Sequence, residues 1–89
     1  AVETNRQLSY TKLNSFAQIM ISDGNKVYSA DESDGVNIFD IADPSDPKIT
    51  SRINLSGTPN KLFLDGTVLY VALGVDGFAM VDVADANAS

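Results

Sequence analysis

Three acids fall within four residues of the stretch "SADESDG": Asp31, Glu32 and Asp34. Hard cations bind several carboxylate and carbonyl oxygens at once, so these residue types at this density point to a calcium site. The EF-hand spacing is not met, because counting back from Gly35 puts its first ligand position on Ala30. The competing reading is a solvated acidic loop. Other chemistry is limited by inventory. The chain has no His and no Cys, which removes Ser-His-Asp triads, Cys-His pairs and thiolate zinc sites. Paired carboxylates of the kind glycosidases use remain. No catalytic residue is assigned, and the chain reads as non-enzymatic.

Asp40 and Asp82 raise a different question, since each interrupts an apolar run, "VNIFDI" and "FAMVDV". A carboxylate in such a run needs partners. Both are read as structural acceptors of N–H bonds from a neighbouring turn or strand. Tyr28 and Tyr70 also recur, and are expected to pack between layers with their hydroxyls toward a polar rim.

These pairs share one spacing. At an offset of 42 residues the chain aligns with itself without a gap, residues 18 to 47 over 60 to 89, and nine of the thirty positions are identical. A period of this size is a mark of propellers and solenoids. The matches include Gly24 with Gly66, Gly35 with Gly77, and Ala42-Asp43 with Ala84-Asp85. The acids at 31 and 32 do not recur: Leu73 and Gly74 stand there.

The elements follow from punctuation. "QIMIS" and "NKLFL" read as strands, each followed by Asp-Gly, which supplies the positive φ of a tight hairpin. "KVYSA" and "VLYVAL" come next, then a second Asp-Gly leading into "VNIFDI" and "FAMVDV". "ADPSDP" forces a turn, where the Asp43 and Asp46 carboxylates are expected to accept backbone N–H bonds. "KITSRINL" alternates as a half-buried outer strand, with Ile49, Ser51, Ile53 and Leu55 on one side. The inner strands are apolar on both faces, as in a sheet packed between two others.

The segment "GVNIFDIADPSDPKI" resembles the LVIVD repeat, a β-propeller blade in which a glycine and an apolar strand ending in Asp lead through a "DP" turn to an outer strand. The resemblance covers residues 18 to 89. The second repeat departs from it where Ala86, Asn87 and Ala88 replace Pro44, Ser45 and Asp46. It implies an all-β fold of four-stranded antiparallel blades, proteins of bacterial or archaeal surfaces or the periplasm, and no catalytic residue. Asp40 and Asp82 match its strand aspartate, and Asp43-Pro44 matches its turn.

The expected organisation is an N-terminal segment 1–17 with an outer strand at 9–13, a first blade at 18–59, and a second at 60–89 without its own outer strand. "SYTKL" lies opposite "SRINL" at the same offset, so residues 9–13 are placed to complete a blade. Propellers use four to eight blades. Two therefore imply a homo-oligomer, as a ring or filament, or the remainder of a longer propeller; a sector of a larger propeller enzyme is the alternative. A net charge of -6 leaves no basic stripe for nucleic acid, and no run reaches the roughly 20 apolar residues of a membrane helix. The favoured reading is a binding or scaffolding module, extracellular, on the cell surface or periplasmic, with a protein or glycan as partner.

Overall fold

Among the described residues, seven antiparallel strands form from the β-branched and aromatic runs. The structure is a computed structural model and describes residues 5–13, 17–31 and 35–84. Sheet 1 is a four-stranded meander of β1 (Ala17–Asp23), β2 (Lys26–Asp31), β3 (Gly35–Asp40) and β4 (Lys48–Ile53). Sheet 2 is a three-stranded meander of β5 (Lys61–Asp65), β6 (Val68–Ala72) and β7 (Phe78–Asp82). The start of β6 lies 42 residues after the start of β2, and β7 ends 42 residues after β3. The period of the sequence is the period of the fold.

The turns repeat as well. Asp23 pairs with Lys26 and Asp65 with Val68, so each first hairpin has a two-residue loop. Gly24 and Gly66 take φ of 60° and 62°, and among the described residues no non-glycine has a positive φ. That pattern fits a type II′ turn, in which only the first loop position needs glycine. The Asp of each Asp-Gly is the last residue of its strand. Backbone bonds recur too: Ile41 N donates to Asn25 O at 2.7 Å, and Val83 N to Thr67 O at 2.8 Å.

The β3–β4 pairing departs from simple alternation. Ile38 pairs with Ser51 but Phe39 with Ile49, so Thr50 is the extra residue of a β-bulge. Its hydroxyl donates to Ile38 O at 3.2 Å. One inserted residue inverts the phase of a period-two pattern. Ile49 therefore shares a face with Phe39, while Ser51 and Ile53 lie on the opposite one. This corrects the expectation that the three share a side, and Ile49 is 48% exposed.

The core lies between the sheets. Sheet 1 contributes Tyr28, Ala30, Val36 and Ile38, and sheet 2 contributes Leu62, Leu69, Val71, Leu73 and Val83. A fully buried apolar side chain of this size contributes about 1.5–3 kcal/mol. Burial, and secondarily the charge of Asp23, holds the Tyr28 hydroxyl above its ordinary pKa. Residues on one face alternate, so each sheet has two: a Tyr28 face and a Phe39 face in sheet 1, a Tyr70 face and a Leu69 face in sheet 2. At the 42-residue offset, Tyr28 corresponds to Tyr70, and Val27, on the Phe39 face, to Leu69. The two sheets thus stack face to back, the Tyr28 face against the Leu69 face.

Candidate functional site

Three places on this frame carry chemistry. The first is the end of the stack that holds the β1–β2, β3–β4 and β5–β6 turns. Asp40 and Asp82 close their strands here: Oδ1 of Asp40 accepts from Ala42 N at 2.8 Å, and Oδ1 of Asp82 from Ala84 N at 2.9 Å. Both contacts are exposed, because each aspartate ends its strand instead of interrupting it. The shared hydrogen bond explains why the residue recurs in the sequence. A short acceptor side chain two residues before an unpaired amide fixes a turn.

In the β3–β4 turn, Asp43 Oδ1 accepts from Ser45 N at 3.1 Å and from Ser45 Oγ at 2.6 Å. The Ser45 hydroxyl first, and its amide second, hold the Asp43 carboxyl below its ordinary range. Asp46 differs from expectation, since its carboxylate takes the Lys48 ammonium at 2.8 Å. That pair is well exposed and contributes little to stability. Lys26 Nζ donates to Val83 O at 3.2 Å and ties the two sheets together at this end. With Asp23 and Asp65 at the hairpins, this end presents six aspartates beside two lysines.

The second place is a buried polar chain on the Phe39 face of sheet 1. Asp31 is the last residue of β2 and has no exposed surface. Its Oδ1 accepts from Ser29 Oγ at 2.9 Å, and its Oδ2 from Asn37 Nδ2 at 2.5 Å. Arg52 Nε donates to Asn37 Oδ1 at 2.8 Å and completes the chain. Ser29, Asn37 and Arg52 sit in one cross-strand row. A carboxylate with both oxygens engaged and no access to solvent holds strands together; it does not meet a substrate. Glu32 and Asp34, the other two members of the acidic cluster, lie outside the described residues. Among the described residues, no three His, Cys, Asp or Glu side chains are grouped to hold a metal ion.

The third place is the Tyr70 face of sheet 2, which pattern reading missed. Phe63, Phe78 and Met80 stand on it 65%, 67% and 60% exposed. Phe63 pairs with Tyr70 across the strands, ring centroids 6.0 Å apart and tilted by 52°. Lys61, Phe63, Tyr70, Ala72 and Phe78 line a hollow of about 290 Å³. These side chains make an exposed apolar patch on the outer side of sheet 2. The available signal was size: Phe63, Phe78 and Met80 stand where Ile21, Val36 and Ile38 stand in the first repeat.

Gly35 and Gly77 enter equivalent strands with φ of 76° and 92°. A Cβ on Gly35 would collide with Ile53 O, whereas one on Gly77 would have no described atom within 4 Å. Pro44 takes part through its carbonyl, which accepts from Ser9 Oγ at 2.7 Å. Residues 9–13 carry no strand in the single chain. They run along the Phe39 face, where Thr11 and Leu13 line a groove of about 250 Å³ with Met20, Val27, Phe39 and Ile41. No helix among the described residues is long and apolar enough to cross a membrane. No family model, curated protein or solved structure matches the chain.

Proposed function

We propose that the chain is a pair of propeller blades acting as a non-enzymatic binding or scaffolding module, in a protein that is extracellular, on the cell surface or periplasmic. One observation carries this reading: two sheets related by a 42-residue period stack face to back through a common core. Face-to-back stacking is an operation that can be repeated, and repetition is how propellers are built. The resemblance of residues 18 to 89 to the LVIVD repeat supports the same reading.

Rigid sheets bring the loops to two ends, and loops on a rigid scaffold are where binding residues concentrate. The acidic end suits a partner with a basic surface, a protein segment before a neutral glycan. Clefts and rims of one charge sign raise the encounter rate with the opposite sign, and salt screens the effect. The test is to present the purified chain to panels of basic peptides and of glycans across a salt series. Binding of basic peptides that weakens as salt rises is the expected result. Turnover of any glycan in the same panel would replace the module with an enzyme.

A further inference from the structure

We propose that the Tyr70 face of sheet 2 docks the Phe39 face of sheet 1 in a second copy of this chain, head to tail. The inference rests on the blade reading above, and the inner interface supplies the precedent. Within one chain the Tyr28 face of sheet 1 is covered by the Leu69 face of sheet 2. The 42-residue offset makes the Tyr70 face the counterpart of the Tyr28 face, and the Phe39 face the counterpart of the Leu69 face. One molecule therefore carries an unused copy of each half of its own interface. Such a contact is heterologous, joining two different patches.

The residues at the two outer faces fit this pairing. On the donor face, Met80 takes the place of Ile38 and Phe63 that of Ile21; on the receiving face, Met20 takes the place of Leu62 and Val27 that of Leu69. Met20 is 58% exposed, and Phe39 and Ile41 continue the apolar surface beside it. One position on each face exchanges an apolar residue for a charge, and the two charges are opposite. Lys61 replaces Ile19 on the Tyr70 face, and Asp31 replaces Leu73 on the Phe39 face. Both lie near the end of their sheet that holds the second turn: Lys61 is paired with Ala72 and Asp31 with Gly35.

The edge of sheet 2 points to the same neighbour. In sheet 1, β4 pairs with β3, and the chain then runs on into the sheet that stacks on it. Residues 9–13 stand in the same relation to sheet 1 of a second copy, opposite residues 51–55 at the offset of 42. In the single chain they lie on the Phe39 face, the surface the docking needs. Leaving that face to pair with β7 of the next copy exposes the receiving surface and fills an edge on which no described strand lies, in one step.

The test uses the full chain and two exposed positions. Its weight-average mass, followed by sedimentation against concentration, should rise above 9.5 kDa. Met80→Glu and Met20→Glu should each remain at monomer mass at concentrations where the unsubstituted chain assembles, with circular dichroism unchanged. An equimolar mixture of the two variants keeps one intact face of each kind, and should form a species of twice the monomer mass. Monomer mass for the unsubstituted chain at every concentration overturns the proposal. So does a Met20→Glu variant that still assembles as the unsubstituted chain does, which would mean a contact between two Tyr70 faces, or a mixture that forms no dimer. Mass does not depend on ligand binding. A monomer that binds basic peptides would sink this inference and leave the module standing, and an assembly that binds none would do the reverse.

Discussion

Sheet 1 and sheet 2 come from segments that share nine identities, and their first hairpins turn in the same way, yet they solve opposite problems. Sheet 1 has four strands and a polar chain of Ser29, Asp31, Asn37 and Arg52 on one face. At the matching positions of sheet 2 stand Val71, Leu73 and Ala79. Those three belong to the apolar side that packs against sheet 1. Polar groups are tolerated where hydrogen bonds satisfy them, and apolar ones are retained where another sheet excludes water. The difference teaches that position in the stack, more than position in the repeat, selects the side chain.

Equivalent residues should then fail by different amounts. Ile38 is 1% exposed and its counterpart Met80 60%, so Ile38→Ala should cost about 2–5 kcal/mol and Met80→Ala less than about 0.5 kcal/mol. Denaturant unfolding at dilutions where the chain is monomeric measures both, and equal losses would break the comparison. The glycine pair comes next. Either Gly→Ala change meets the strain of a positive φ, about 1–2 kcal/mol. At Gly35 the collision with Ile53 O should bring the loss to roughly 3 kcal/mol. β4 is the cause, since sheet 2 presents no described strand at that position.

Asp31→Ala should cost about 1–3 kcal/mol, because the Asn37 amide and the Ser29 hydroxyl lose their acceptor. Asp31→Leu installs the residue its counterpart carries and should not restore stability. A stable Asp31→Leu protein in thermal melts would show that the polar chain is dispensable. The smallest effects belong to Asp40→Ala and Asp82→Ala, each expected near 0.5–1 kcal/mol for one turn hydrogen bond with access to water. These two should match, since their geometry matches, and thermal melts of the paired variants would reveal any divergence.

The all-β class, the period, the first hairpin turns and the approximate positions of the seven described strands were legible in residue types, because each depends on local rules. Glycine alone takes a positive φ without strain, proline removes a donor, and β-branched runs favour the pleat. The recurring Asp40 and Asp82 were legible as acceptors, and the repeat resemblance placed them at strand ends, but their exposure to water was not legible. The Thr50 bulge was not legible, and with it went the side on which Ile49 lies. A bulge is set by how two distant strands pair, which residue types in one of them do not encode.

The remainder depended on which face met which. Asp31 reads as part of an acidic loop until Asn37 is laid across from Ser29 by the β2–β3 register. Phe63, Phe78 and Met80 read as core until sheet 2 is seen to turn its Leu69 face inward. Period-two alternation assigns residues to faces without saying which face is covered. Burial belongs to the packing of one sheet on another, so only the folded arrangement could separate the buried Ile38 from the exposed Met80.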